Sequence, residues 1–168
     1  ALAIAHGSPA ETTVRRLLPQ ADDTVVATAA QRQLALQYDD LSDVVAAPGA
    51  PALLEALARF VLPWAVVTSA DTILAKARLG AAGIDPPLLV TGDDVAAGKP
   101  DPESYLLAAQ RVGVDPHQCL VVEDSEPGLA AGRAAGAATA ALRGLDGDLR
   151  LRDLTQLAHL LDRIRQQN

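Results

Sequence analysis

Three stretches of the sequence carry polar side chains that could handle phosphate and a divalent cation. They contain a hydroxyl pair, Thr68 and Ser69; a lysine in a Gly-Lys-Pro turn, Lys99; and an acidic pair, Glu123 and Asp124. The hydroxyl and acidic pairs each follow a short apolar run that is typical of a buried parallel strand. In open parallel sheets the ligand site lies at the carboxyl ends of the strands. The sequence therefore predicts that one sheet edge holds two carboxylates, a hydroxyl with helix-start N–H groups, and one ammonium.

The adjacent carboxylates of Glu123 and Asp124 would repel each other if both were ionised and unpaired. A hard divalent cation removes that repulsion, and Mg²⁺ takes oxygen ligands while it keeps several waters. The alternative is that Asp124 or Ser125 only caps a helix and that Glu123 is solvated. The pair alone leaves both interpretations open.

The hydroxyl pair and the lysine point to an anion. Thr68 and Ser69 lie at a predicted strand-to-helix turn, where free backbone N–H groups bind phosphate. The alternative there is a simple helix cap at Ser69 or Asp71. The chain has only two lysines, and Lys99 is the one placed in a turn. A compact ammonium suits a point-charge contact to phosphate, although a surface lysine in a mobile loop is the alternative.

Composition and charge exclude several classes of function. The 168 residues are 49% hydrophobic and 21% charged, which is enough apolar content for a packed core. A formal net charge of -7 argues against a nucleic-acid binder, because no basic stripe could neutralise phosphates. No apolar run approaches the roughly 20 residues of a membrane helix, and we expect no signal peptide. With a single cysteine, Cys119, we expect a cytoplasmic protein in a reducing compartment.

The predicted secondary structure that positions these residues changes near residue 48, from helices alone to alternating helices and strands. Residues 1–47 are predicted to be helical, with one helix over 9–18 and a longer one that begins near Asp22. The second helix is predicted from an apolar stripe at Val26, Ala30, Leu34, Tyr38, Leu41 and Val45. Pro48-Gly49 breaks the pattern and is the predicted domain boundary.

From residue 48 onward, helices and strands alternate. Strands are predicted at 64–68, 88–91, 120–122 and 137–142. Helices are predicted at 50–60, 71–79, 102–112, 127–135 and 153–165. Repeated helix–strand units of this kind predict a parallel sheet covered by helices on both faces.

Taken together, in this order and spacing, the three stretches resemble the haloacid dehalogenase superfamily of phosphotransferases. Residues 66–70 resemble its second motif, 98–102 its third, and 121–136 its fourth. The resemblance covers residues 48 to 142 and implies an α/β fold with a three-layer, Rossmann-like parallel sheet. The Glu-Asp form of the fourth motif resembles the branch with a small all-helical cap. That branch includes sugar-phosphate phosphatases and β-phosphoglucomutase-like enzymes.

The resemblance implies roles for the phosphate-binding residues. Thr68 would bind the phosphoryl oxygens, helped by the Ser69 amide and the adjoining Ala70. Lys99 would neutralise the phosphate and the nucleophile. In this family an aspartate attacks phosphorus and forms an aspartyl-phosphate, which water then hydrolyses. A second aspartate two residues later serves as the general acid and base.

The resemblance also implies a metal site and a substrate-recognition loop. Glu123 and Asp124 would hold Mg²⁺, directly or through water. His6, Gly7 and Ser8 would belong to the cap loop that contacts a sugar. The implied domains are a helical cap over residues 1–47, incomplete at its start, and a core over residues 48–168.

The family's first motif, an apolar strand that ends in Asp-x-Asp-Gly-Thr, does not occur in this sequence. In the family that strand lies between the strands that here end at Thr68 and Glu123. We therefore expect a core without its first strand and a chain that is inactive as it stands. The sequence could be a fragment of a longer enzyme, or a second copy could supply the strand in a homodimer. Alternatively, the protein is a non-catalytic relative whose strands close up.

Three alternative functions are compatible with these observations. The first is a Mg²⁺-dependent phosphatase of a small phosphorylated sugar or polyol. The second is a phosphosugar mutase, which would place a basic residue in the cap loop; residues 6–10 contain no lysine or arginine, which disfavours it. The third is a non-catalytic module that uses a phosphate pocket for interaction.

Overall fold

The computed structural model describes residues 10–39 and 41–166. The helices are α1 (Ala10–Leu17), α2 (Asp23–Asp39), α3 (Ala50–Arg59), α4 (Thr72–Ala81), α5 (Glu103–Val112), α6 (Glu126–Ala134) and α7 (Leu154–Gln166). The strands are β1 (Val66–Val67), β2 (Leu89–Val90), β3 (Leu120–Glu123), β4 (Ala138–Ala141) and β5 (Leu149–Arg150). His6, Gly7 and Ser8 lie outside the described residues. None of the described helices is both long and apolar enough to cross a membrane.

Helices α1 and α2 pack against each other around a small apolar cluster of their own. Val14, Val26 and Ala30 are buried in this cluster. The Arg15 guanidinium pairs with the Asp23 carboxylate at 2.8 Å across the connection between the two helices. This pairing is exposed, so burial of the apolar cluster contributes more to holding the helices together.

The predicted extension of the second helix beyond residue 39 is wrong. Helix α2 ends at Asp39, and Leu41 and Val45 lie in turns and coil beyond it. Val45 is 79% exposed, so it does not continue the apolar stripe. The sequence keeps a helical spacing of apolar residues up to Val45, but the helix has already ended at Asp39.

The strands pair in parallel, as the alternation of helices and strands predicts. Strand β1 pairs with β2, with Val66 opposite Leu89. Strands β3, β4 and β5 form a second parallel sheet, with Glu123 opposite Ala141. Helix α5 packs against β1 and β2, α6 packs against β3 and β4, and α3 packs against α7. The predicted α/β class with a parallel sheet is therefore confirmed.

A gap separates β1 from β3. A cavity of about 780 Å³ occupies it, and the cavity is lined by apolar side chains of both strands together with leucines of α3 and α7. The gap lies where the resemblance places the absent first strand. The described strands do not close up across it, so the structure does not follow the expectation for a relative with a rearranged sheet.

The carboxylate of Asp148 joins β4 to the start of β5. It accepts hydrogen bonds from the Thr139 backbone N–H at 2.7 Å and from the Thr139 hydroxyl at 2.9 Å. Both bonds favour the ionised form, so they hold the pKa of Asp148 below its usual value. Strand β5 itself was not predicted from the sequence, because its two exposed residues carry no apolar alternation.

We predict that Asp148→Asn destabilises the protein at neutral pH but not in acid. A lowered pKa in the folded state stabilises above the ordinary aspartate pKa of about 3.9, and this is lost as pH falls through the folded value. The urea midpoints of the two proteins should therefore differ at pH 7 and begin to converge below about pH 4, as pH falls toward the lowered folded-state pKa. Asp85→Asn, at an exposed aspartate before β2, is the control. A difference that is the same at every pH would contradict this account.

Candidate active site

The Lys99 ammonium bridges the gap between the two sheets at the carboxyl ends of β1 and β3. It contacts the Glu123 carboxylate at the end of β3 and donates to the Val67 carbonyl of β1 at 3.2 Å. The Lys99 and Glu123 side chains are only 7% and 9% exposed. Because these two opposite charges are buried and in contact, the pair is the electrostatic centre of the edge.

Four donors surround the Glu123 carboxylate. Lys99 and the Tyr105 hydroxyl, at 2.6 Å, donate to Oε1. The Asp124 backbone N–H at 3.2 Å and the Ser125 hydroxyl at 2.9 Å donate to Oε2. An ionised carboxylate has about four acceptor sites, and here each oxygen receives two donors. Glu123 is therefore held in one orientation by the protein itself.

Tyr105 contacts both members of the central pair. Its ring centroid lies 4.9 Å from the Lys99 Nζ atom, and its hydroxyl bonds to Glu123. Burial, followed by the negative charge of Glu123, raises the pKa of the Tyr105 hydroxyl well above its usual value. The hydroxyl therefore stays protonated and acts as a donor.

The turn that carries Lys99 is fixed by carboxylates at the start of α5. Glu103 accepts hydrogen bonds from the backbone N–H groups of Ala97 at 2.8 Å and Ala96 at 3.1 Å. These bonds lower the pKa of Glu103 from its usual value. The Asp101 carboxylate, just before the helix, accepts from the N–H of its first residue, Glu103, at 2.9 Å. Two acidic residues thus set the position of the loop from which Lys99 extends.

The turn after β1 is held by backbone bonds to the loop after β2. The Thr68 N–H donates to the Val90 carbonyl at 2.9 Å, and the Gly92 N–H donates to the Ala70 carbonyl at 2.8 Å. The Thr68 hydroxyl accepts from the Ala70 N–H at 3.2 Å. Asp71 caps α4, because its side chain accepts from the Leu74 N–H. Of the two helix caps considered from the sequence, the structure uses Asp71, and Ser69 lies in the turn before it.

Asp124 faces a different environment from Glu123. Its side chain is 40% exposed, and the Arg143 Nε atom lies 3.7 Å from its Oδ2 atom. Arg143 follows β4 and has a φ of 56°, in the left-handed region that non-glycine residues rarely adopt. Asp124 is therefore a partly exposed carboxylate, paired with Arg143 at the rim of the site.

The donor set of this edge fits Mg²⁺. The oxygens belong to carboxylates and a hydroxyl, and Mg²⁺ is commonly held by one or two carboxylates, substrate phosphate and waters. Asp124 is the partly exposed carboxylate, whereas the Glu123 oxygens face protein donors. No group of three or more His, Cys, Asp or Glu residues is arranged to hold a metal in the part of the chain that the structure describes.

Sequence reasoning missed Tyr105 and Arg143. Neither lies next to a predicted motif residue, and both reach the site through tertiary contacts. The available signal for Tyr105 was composition: aromatic residues are only 2% of the chain, and this one lies in the first turn of the helix after the Lys99 loop.

A model of the family described as haloacid dehalogenase-like hydrolase matches residues 5–136. The chain belongs to this family. Among similar hydrolases is hexitol phosphatase A of Escherichia coli (strain K12), 36% identical over 97% of this chain and 76% of that protein. Another is validoxylamine A 7'-phosphate phosphatase of Streptomyces hygroscopicus subsp. limoneus, 35% identical over 70% of this chain and 60% of that protein.

Solved structures of other hydrolases share the fold. A hydrolase from Pseudomonas syringae matches with a TM-score of 0.77 and 28% identity over 97% of this chain and 82% of that chain. A family IA hydrolase from Entamoeba histolytica matches with a TM-score of 0.77 and 22% identity over 94% of this chain and 80% of that chain. The similarity therefore extends over nearly the whole chain.

We predict that Gly128→Ala disrupts the site of this hydrolase. A Cβ atom at Gly128 would lie 2.1 Å from the Glu123 Cδ atom, so the carboxylate would have to move. Overpacking of this kind costs about 1–3 kcal/mol. Gly80→Ala, in α4, is the control, because a Cβ there meets nothing within 4 Å. Urea unfolding should show a lower free energy of unfolding for Gly128→Ala and one raised by up to about 1 kcal/mol for Gly80→Ala. Equal changes in the two variants would contradict the packing argument.

Proposed function

We propose that this protein is a Mg²⁺-dependent phosphatase of a small phosphorylated sugar or polyol. The observation that carries the proposal is the Lys99–Glu123 pair at the carboxyl ends of β1 and β3. Similarity to relatives that are named as phosphatases of hexitol, fructose 1-phosphate and N-acetylmuramic acid 6-phosphate supports the substrate class. The acidic net charge supports a small-molecule substrate over a nucleic acid.

The chain's own residues have distinct tasks in this proposal. Lys99 offers a fixed ammonium to the phosphoryl oxygens, and its attachment to Glu123 orients it before substrate arrives. The Thr68 hydroxyl and the Ser69 backbone N–H lie in the turn at the end of β1 and bind the same group. Asp124, with Glu123 behind it, holds Mg²⁺, which when bound supplies positive charge to the transferring phosphoryl group.

The nucleophilic aspartate is proposed to arrive on a strand that fills the gap between β1 and β3. The apolar lining of the 780 Å³ cavity suits such a strand. Its last residue would lie beside Lys99, where an attacking carboxylate forms the aspartyl-phosphate and the leaving alkoxide takes a proton from a general acid. The strand could belong to a longer form of this polypeptide or to a second copy in a homodimer.

The organisation and setting of the protein are part of the proposal. The separate apolar cluster of α1 and α2 supports a cap over residues 1–47 beside a core over 48–168. In the cap, His6, Gly7 and Ser8 are proposed to contact the sugar or polyol. The lone Cys119 supports the cytoplasm as the compartment.

Removal of the Lys99 ammonium tests the mechanism. With Mg²⁺ and a panel of sugar and hexitol phosphates, Lys99→Ala in a catalytically active chain, extended by the Asp-x-Asp-Gly-Thr strand described below, should lower phosphate release by about 100-fold or more, since one electrostatic donor is lost. Lys76→Ala is the matched control, because Lys76 is the chain's other lysine and is exposed on α4. Retained activity in Lys99→Ala would contradict the proposed role.

Addition of the absent motif tests the phosphatase assignment itself. The 168-residue chain should release no phosphate, and a chain extended upstream by an apolar Asp-x-Asp-Gly-Thr strand should turn over a member of the panel. The matched control carries Asn-x-Asp in the same extension, which removes the nucleophile and keeps the strand. Interconversion of isomers with little free phosphate would favour the mutase, and phosphate binding without turnover by the extended chain would favour the non-catalytic module.

A further inference from the structure

Tyr105 lies beside the site, and neither the sequence motifs nor the proposed mechanism uses it. It lies in the first turn of α5, six positions after Lys99. Its hydroxyl donates to Glu123 Oε1 at 2.6 Å, and its ring centroid is 4.9 Å from the Lys99 Nζ atom. One side chain therefore contacts both charges of the buried pair.

These two contacts restrict the pair in complementary ways. The hydroxyl occupies one acceptor position of Oε1, so the Lys99 ammonium must approach this oxygen from the other side. The ring face attracts the ammonium by a cation–π interaction, which is stronger away from water. A lysine side chain is otherwise free to rotate about its four-carbon stem, and fixing it carries an entropic cost.

The Lys99 ammonium has one donor that the two hydrogen bonds do not use. An ammonium has three N–H groups. Within the described residues, one is taken by Glu123 and one by the Val67 carbonyl, and no third hydrogen-bond acceptor is found. The third N–H of Lys99 thus has no protein acceptor among the described residues, at the carboxyl ends of β1 and β3.

We propose that Tyr105 is a positioning residue that fixes Glu123 through its hydroxyl and Lys99 through its ring, so that Lys99 presents its third N–H to a phosphoryl group. The proposal rests on the phosphatase function proposed above. Phenylalanine at this position keeps the ring and loses the hydroxyl, whereas leucine loses both. The two substitutions therefore separate the two contacts.

The lysine content of the chain makes a direct test practical. Only Lys76 and Lys99 would appear in a protein labelled with ¹⁵N at lysine Nζ, and Lys76 serves as an internal reference. Inorganic phosphate with Mg²⁺ should shift the Lys99 signal of the unaltered chain and leave that of Lys76 in place. In Tyr105→Phe the Lys99 signal should move and its hydrogens should exchange faster with water, with no change at Lys76.

Calorimetry with inorganic phosphate and Mg²⁺ measures how much Tyr105 contributes to phosphate affinity. Tyr105→Phe should weaken phosphate binding by about tenfold, as expected for a lost hydrogen bond to a charged group, and Tyr105→Leu should weaken it further. Leu106→Ala, at an exposed neighbour on α5, should leave binding unchanged. A purely structural role would lower the melting temperature of Tyr105→Phe while leaving the Lys99 signal and phosphate affinity as they are, and would overturn the proposal.

The outcomes separate this proposal from the phosphatase assignment. If phosphate leaves the Lys99 signal of the unaltered chain in place and Lys99→Ala binds phosphate as before, the site is not a phosphate site and both proposals fail. If Lys99→Ala loses binding but Tyr105→Phe does not, only the role of Tyr105 fails. Should Tyr105→Phe not fold, nuclear Overhauser contacts between the Tyr105 ring and the Lys99 ammonium in the unaltered chain decide, and their absence overturns the proposal.

Discussion

The contact between the Lys99 ammonium and the Glu123 carboxylate is the constraint on which the rest of the site depends. Both charges are buried, and a buried pair that loses one partner is destabilised by about 3–5 kcal/mol. The pair also spans a gap across which the strands make no backbone bonds. The loop after β2, which carries Lys99, and the end of β3, which carries Glu123, must therefore both be correctly placed for this contact to form.

The surroundings of Glu123 and of the Lys99 loop hold the two charged side chains in position for their contact. The carboxylate lies at the N-terminus of α6, where exposed N–H groups favour negative charge. Gly128 leaves room for it, and the Ser125 hydroxyl both donates to it and accepts from the Gly128 N–H. On the other side, the Glu103 carboxylate holds the loop of Lys99. Each partner thus has further support from its own part of the chain, in addition to their mutual contact.

The sequence predicted the parallel α/β architecture because apolar runs and turn residues are local signals. The parts that it did not predict depend on tertiary contacts. Strand β5 consists of two exposed residues and is fixed by the bond between Asp148 and Thr139, nine positions away. Tyr105 reaches Glu123 across 18 positions, and no spacing rule indicates that contact. The end of α2 was misplaced because an apolar period continued through residues that the chain places in a turn.

The charges near the gap also explain why a divalent cation belongs to the proposed reaction. Glu123 and Asp124 are each paired with one cation, Lys99 and Arg143 respectively, so the edge is balanced before a substrate binds. A nucleophilic carboxylate and a phosphate would add negative charge at the same place, and like charges at this distance repel strongly in a site of low dielectric. Lys99 already donates to Glu123, so its single positive charge would be shared between that carboxylate and an incoming phosphate. Arg143 is 62% exposed, so its charge is screened by solvent. In the proposed reaction, a Mg²⁺ ion held at Asp124, the partly exposed carboxylate of this edge, would offset the added negative charge.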